Sequence, residues 1–287
     1  MSESGFDSIQ FKVGQLKSWN SVAPGWKKWW KTWEKGGQIL SDKLVELAEI
    51  KPGQRVLDIA TGIGEPAVTA ARIVGDKGLV MATDLSPEML AIGRERSQDE
   101  GLKIEFEEGD AEMVDLPNSY FDAVLCRLGL MFLPNLPIAL NIIRRSMVSG
   151  GRFAAAVWAE PIKVPQLNIS ISIVRQQLQF PLPSPRIPDP FSLADLNELK
   201  KYMLQAGFKD IRTENIRVTF EFNSAEDYVR FTQEIAAPVN AMLANETEEK
   251  KAKIWNIVTN YVKAEYTKDN GRVKLDNEAI CIVGRRQ

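Results

Sequence analysis

The sequence predicts an α/β protein built on a doubly wound, largely parallel sheet, and three observations predict it. Between about Lys51 and Trp158, short β-branched or apolar runs alternate with longer helical patterns. One of these runs, residues 55–59, leads directly into a glycine-rich turn, Gly62-Ile63-Gly64. Another, residues 79–83, ends on Asp84 just before a helix start. Strand–helix alternation at this spacing requires crossover connections, which are right-handed in parallel sheets.

Each element has its own local reason. Lys51-Pro52-Gly53 is a turn that opens the first strand. Pro66 suits the first turn of a helix running to about Val74, because proline has no N–H to leave unpaired there. Gly75-Asp76-Lys77-Gly78 turns the chain into the second strand. Ser86-Pro87-Glu88 combines a serine cap, a proline at the first helical position and an acid at the positive end of the dipole. That helix closes near Gly101, and further strands are expected at 104–107, 121–127 and 153–158. Residues 181–190 hold five prolines and fit neither helix nor central strand. Ser192 with Asp195 reads as a capping box for a helix closing before Gly207. A strand is expected at 211–222, followed by a helix from Ser224 with Tyr228, Phe231, Ile235, Val239, Met242 and Leu243 as one apolar stripe. Thr247 opens a further helix, and residues 277–284 form the last strand. At the other end, Trp26, Trp29, Trp30 and Trp33 fall on one helical face. The expected organisation is an N-terminal helical segment, 1–50, packing on a core of 51–287 with insertions at about 161–204 and 223–277.

Composition excludes several classes of function. Lysine plus arginine (36) nearly balance aspartate plus glutamate (38), leaving a formal charge of −2 and no basic field for nucleic acid. The apolar stretch around 123–133 is interrupted by Arg127 and is too short to span a bilayer. The polar start, with Glu3 and Asp7, is unlike a secretory signal. Cys126 and Cys281 are too few for a disulfide framework. A cytoplasmic monomer or homodimer is expected, with no nucleic-acid partner and no membrane span. The chain has no histidine, which removes Ser–His–Asp catalysis and histidine metal ligands, so no metal site is expected. Its chemistry must rest on carboxylates, tyrosines, lysines, backbone dipoles or a bound cofactor.

The chemistry centres on Val56-Leu57-Asp58-Ile59-Ala60-Thr61-Gly62-Ile63-Gly64. Glycines after a buried strand let the backbone turn tightly against a ligand that then meets a helix N-terminus. Asp84 lies 20 residues beyond Gly64, where a carboxylate can accept from ribose hydroxyls. A plain strand–helix turn and a solvated strand-end aspartate are the bland readings of the two motifs, and together they point to an adenosine ribose. Asp58, four residues before Gly62, would repel a pyrophosphate but suits a cationic amino-acid moiety. Gly109-Asp110-Ala111-Glu112 follows the third strand, and Phe121-Asp122-Ala123-Val124-Leu125-Cys126-Arg127 forms the fourth.

With these motifs in order, residues 54–158 resemble the class I S-adenosylmethionine-dependent methyltransferases, in the branch of the quinone-biosynthesis C-methyltransferases. Ala60 departs from the pattern, since many members carry the first loop glycine there. The stretches that mark true quinone methyltransferases are not convincingly present, so a quinone substrate is not carried over. The resemblance implies a Rossmann-like seven-stranded sheet with helical lid insertions and S-adenosylmethionine as cofactor. It implies that Ala60, Thr61 and Gly62 line the methionine part, with Gly64 also at the cofactor, and that Asp58 holds its amino group directly or through water. Asp84 would bind the ribose, with Leu85 and Met89 near the adenine. Asp110 would reach the adenine amino group, with Gly109 and Ala111 beside it. Arg127 and Leu128 would lie beside the sulfonium. Glu112 is expected to be solvated.

The tryptophan face reads first as an amphipathic helix packed on the sheet. Its sharper reading sets Trp26 or Trp30, or Trp19 before them, over the cofactor with a π face toward the sulfonium. The expected function is methyl transfer by in-line displacement to a small, partly hydrophobic acceptor. No catalytic base is singled out among Tyr120, Tyr202, Tyr228, Tyr261, Tyr266 and the many acids. The alternatives are an NAD-dependent oxidoreductase, which leaves Asp58 and Gly109-Asp110-Ala111 without a reason, and a non-catalytic S-adenosylmethionine-binding protein.

Overall fold

The computed structural model describes residues 6–182, 184 and 187–287, so Glu3, Pro183 and Pro185 lie outside the described residues. Five strands are parallel: β1 (Arg55–Ile59), β2 (Leu79–Asp84), β3 (Glu105–Glu108), β4 (Phe121–Arg127) and β5 (Met147–Trp158). β6 (Lys209–Phe222) and β7 (Val273–Arg285) complete a seven-stranded sheet of order β3-β2-β1-β4-β5-β7-β6, with β7 antiparallel to both its neighbours. Val56, Leu57, Val124, Leu125 and Phe153 are fully buried, as expected of strands covered on both faces. Chain order reverses between β1 and β4. A crevice opens outside the carboxyl ends of the strands at such a point, and ligands bind there.

α1 (Ser8–Leu47) crosses that end of the sheet. Asp7 caps it by accepting from the backbone N–H groups of Ile9 and Gln10, both at 3.0 Å. The helix packs on α3 (Pro87–Asp99), α7 (Ala225–Ile235), α8 (Ala237–Leu243) and β6. Trp33 anchors it, with its ring centroid 4.9 Å from that of Phe220 and 5.0 Å from that of Trp26. The remaining helices are α2 (Ala67–Val74), α4 (Leu136–Ser146), α5 (Pro165–Gln177), α6 (Leu196–Gln205) and α9 (Glu248–Tyr266). No helix of the described residues is long and apolar enough to cross a membrane.

Several elements differ from their local signals. The third strand is displaced by one residue. β5 begins at Met147 because Phe121 pairs with Met147 and, after a register shift, Ala123 pairs with Arg152, which absorbs Gly150-Gly151 into the strand. β7 begins at Val273, paired with Phe222, so the segment expected at 223–277 is shorter than its sequence indicated. Ser192 forms no capping box: its hydroxyl donates to the Met131 carbonyl at 2.8 Å. Asp195 caps α6, accepting from Asn197 N–H at 2.8 Å. The apolar stripe from Tyr228 to Leu243 spans two helices, not one. The chain leaves helical geometry at Ala236 (φ −85°, ψ 79°), and Pro238 then sits in the first turn of α8, where it costs no hydrogen bond.

Candidate functional site

The loop after β1 is built around a backbone that few residues tolerate. Ala60 (φ 54°) and Gly62 (φ 57°) are both left-handed. A Cβ placed on Gly62 would meet nothing within 4 Å, so the backbone there faces open space that any side chain would occupy. That space is a cavity of about 1380 Å³, counting its open mouth. It is bounded by the carboxyl ends of β1, β2 and β4, by α1, by the start of α5, by Pro190 and by the α7–α8 junction.

Most of the residues expected at a site line this cavity. Ala60, Thr61 and Gly62 do so from the first loop, and Asp84, Leu85 and Met89 from the second. Gly109, Asp110 and Ala111 contribute after β3, Arg127 and Leu128 after β4, and Trp26 from α1. Three do not line it. Gly64 (φ 95°) is pressed against α3, where a Cβ would come within 3.2 Å of the Gly93 Cα. Trp30 is not among the lining residues, and its ring centroid lies 4.5 Å from the Arg96 guanidinium carbon. Asp58 lies beneath the loop, wholly buried.

Asp58 Oδ2 accepts from the Thr61 hydroxyl at 2.5 Å and from Ala67 N–H at 3.0 Å. Its Oδ1 has no hydrogen-bond partner among the described residues. Burial pushes this carboxyl up to about 8 against the opposing effect of those two bonds. Glu65, which the sequence reading missed, lines the cavity and accepts from the Thr69 hydroxyl at 2.7 Å. Burial and the neighbouring Glu34 raise its carboxyl above the ordinary range.

Asp84 joins the two loops. Its Oδ2 accepts from Gly62 N–H and its Oδ1 from Ser86 N–H, both at 2.8 Å. A carboxylate offers roughly four lone-pair sites, so about two remain for hydroxyl donors. Asp84→Ala should therefore weaken nucleoside binding by about 1–3 kcal/mol. It should also lower the melting temperature slightly, because two backbone donors lose their partner. Calorimetric titration with S-adenosylhomocysteine checks this, and unchanged affinity removes Asp84 from the site.

α1 meets the site through ion pairs that no local pattern announces. Lys12 lies 2.7 Å from Asp110 Oδ2 and 2.5 Å from Glu112 Oε2. Glu112 is buried rather than solvated, accepting from the Asn135 backbone at 2.7 Å and its side-chain amide at 2.9 Å. Burial alone would lower the Lys12 pKa, but the two carboxylates hold it above its usual value. The Arg127 guanidinium is not free to face a ligand: it grips Glu34 of α1 through two bonds of 2.8 Å and reaches Ser41 at 3.1 Å. None of Tyr120, Tyr202, Tyr228, Tyr261 and Tyr266 lines the cavity. Tyr228 is a core residue whose hydroxyl donates to the Gln166 carbonyl at 2.9 Å.

Comparison with known proteins agrees with this geometry. Residues 56–151 match a family model described as a methyltransferase domain. The ubiquinone/menaquinone biosynthesis C-methyltransferase UbiE of Teredinibacter turnerae is 34% identical over 119 residues, 41% of this chain and 48% of that protein. UbiE of Coxiella burnetii is 31% identical over 162 residues, 56% of this chain and 60% of that protein. The chain thus spans about half the length of the curated relatives it matches. Two solved structures share the fold at low identity. The YcgJ protein of Bacillus subtilis has a TM-score of 0.55 at 18% identity, covering 87% of this chain and 99% of its own. Haemonchus contortus phosphoethanolamine N-methyltransferase 2, determined with S-adenosyl-L-methionine, has a TM-score of 0.59 at 18% identity, covering 100% of this chain and 62% of its own. Residues 56–151 thus match a methyltransferase domain, and the chain resembles the class I S-adenosylmethionine-dependent methyltransferases on the UbiE-like side of that group.

Proposed function

We propose that the protein transfers the methyl group of S-adenosylmethionine to a small, partly hydrophobic acceptor. One observation carries the reading: a single cavity with two unlike ends. One end gathers the loop backbone at Ala60–Gly62, the spare acceptor capacity of Asp84, and Asp110 with Ala111. The other is walled by Trp33, Trp158, Leu167, Ile235 and Pro238.

The residues present fit this cofactor. Glu65 on the cavity wall and Asp58 beneath the loop, its Oδ1 unpaired, bring two carboxyls to the end that would take a cationic amino-acid group. Asp84 suits ribose hydroxyls, and Asp110 suits an exocyclic amine. When bound, S-adenosylmethionine supplies a methyl group already activated by its sulfonium. The chain's own part is then to align the acceptor and exclude water, which needs no histidine. α1, the start of α5 and the α7–α8 junction would serve as the cover, opening for exchange. The two cysteines are free and buried, in keeping with a cytoplasmic setting.

Calorimetry with S-adenosylhomocysteine and NAD in parallel tests the cofactor. Saturable, micromolar-range binding of the first and none of the second is expected. The reverse pattern would move the protein to the oxidoreductases.

A further inference from the structure

We infer that Gln166 recognises the methyl acceptor, accepting a hydrogen bond from an O–H or N–H group of a neutral, aromatic molecule held against Trp33 and Trp158. The inference rests on the methyltransferase reading above. Gln166 is 1% exposed, lines the cavity, and its side-chain Oε1 has no hydrogen-bond partner among the described residues. Its backbone, by contrast, is fully engaged. The N–H donates to Asn277 Oδ1 of β7 at 2.9 Å, and the carbonyl accepts from the Tyr228 hydroxyl of α7 at 2.9 Å. Both partners are themselves fixed. The Asn277 amide donates to the Val218 and Leu275 carbonyls at 3.0 and 3.1 Å, and the Tyr228 hydroxyl lies 3.0 Å from the Ser170 hydroxyl. The first turn of α5 is therefore pinned from two sides, and the Gln166 amide cannot swing out to water.

A buried amide oxygen without a donor is costly, and a binding group supplied from outside is one reason for a fold to keep it. The surroundings specify the class of that group. Charged side chains lining the cavity already have partners: Lys12 with Asp110 and Glu112, Arg127 with Glu34, and Glu65 with Thr69 and with Arg96 at 3.6 Å. Asp84 belongs to the cofactor end. Among the described residues that line the other end, none carries an unpaired charge to balance an ionic acceptor, which favours a neutral one. Trp33 and Trp158 both line that end and pack edge to face, 6.5 Å between ring centroids at 80°, so the wall is aromatic and favours an aromatic acceptor. A site of this kind discriminates strongly against an analogue lacking the donor, because the buried oxygen then stays unpaired.

Indole and benzofuran have nearly the same shape and differ in one N–H, so they serve as probes. Each is titrated by ligand-observed NMR into the wild-type chain saturated with S-adenosylhomocysteine, and into Gln166→Met. Indole should bind the wild type at least about tenfold more tightly than benzofuran. In Gln166→Met the ratio should fall to near one, with benzofuran bound as well as before and the melting temperature not lowered. An unchanged ratio in the variant, or no binding of either probe to the wild type, overturns the proposal. So does failure of both Gln166→Met and Gln166→Leu to fold, which would make Gln166 a structural residue. Absence of S-adenosylhomocysteine binding by the wild type is a separate result, and sinks the methyltransferase reading itself.

Discussion

Arg127→Met should lower the melting temperature by on the order of 10 °C, with Glu34→Met doing nearly the same. The two side chains form a two-bond ion pair at 2.8 Å, and each is less than a tenth exposed. Removing one partner leaves the other charge buried without compensation, at a cost of roughly 3–5 kcal/mol. In a chain of this size each kcal/mol corresponds to about 2–4 °C. The double variant Arg127→Met with Glu34→Met should regain most of the loss, since two apolar groups of similar length leave no charge stranded. Because the pair ties α1 to the end of β4, the single variants should also bind S-adenosylhomocysteine more weakly. Thermal unfolding of the three variants decides the matter. Additive losses in the double variant would mean that the two residues do not act as a pair.

Asp58→Ala should reduce S-adenosylhomocysteine affinity by about 2–5 kcal/mol, the usual cost of truncating one side of a buried charged contact. The effect should depend on pH in a direction that the site dictates. The groups around this carboxyl are Thr61, Ala67 N–H, Arg127, Glu65 and Cys126. Burial raises it from 3.8 to about 8, so the ligand-free fold holds a proton that the unfolded chain has already lost above about pH 4. The stability this confers is complete below the unfolded value, declines as pH rises past it, and is lost by the time pH has passed through about 8. A cationic ligand favours the ionised form, so binding should release a proton and tighten between pH 6 and pH 8. Asp58→Asn should flatten both dependences, in melting temperature and in affinity. Calorimetry in buffers of different ionisation enthalpy reads the proton directly, and zero release at pH 7 would contradict this account.

Local chemistry made the first half of the fold legible. β1, β2 and β4 fall where their apolar runs and turns set them, and Ser86 caps α3 by accepting from Met89 N–H at 3.1 Å. Thr247 likewise caps α9. Misreadings came where pairing partners lie far apart in sequence. The early start of β7 depends on β6, and the entry of Gly150-Gly151 into β5 depends on β4. Pro238 marks the helix break at Ala236, while the apolar stripe from Tyr228 to Leu243 continues across it and suggests a single helix. Ser192 looked like a cap because its spacing to Asp195 was right, yet its hydroxyl found the Met131 carbonyl 61 residues away.

The candidate site divides along the same line. Asp58, the Ala60–Gly64 loop, Asp84 and Gly109-Asp110-Ala111 could be picked out because each lies at or just after the carboxyl end of a strand, at a spacing that backbone geometry imposes. Lys12, Glu34, Glu65 and Gln166 could not. Each is an ordinary residue in its local segment, and it gains meaning only from what the fold sets beside it. Trp30 and Trp26 share one helical face, yet Trp30 packs on Arg96 while Trp26 reaches the cavity, since α1 lies across several elements at once. Strand period, turn glycines and caps act within a few residues, so the first strands and the loops after them could be read locally, while the order of the sheet came with the resemblance. What covers those loops and which charges are paired came from the folded chain, because burial and ion pairing depend on contacts between segments more than 200 residues apart.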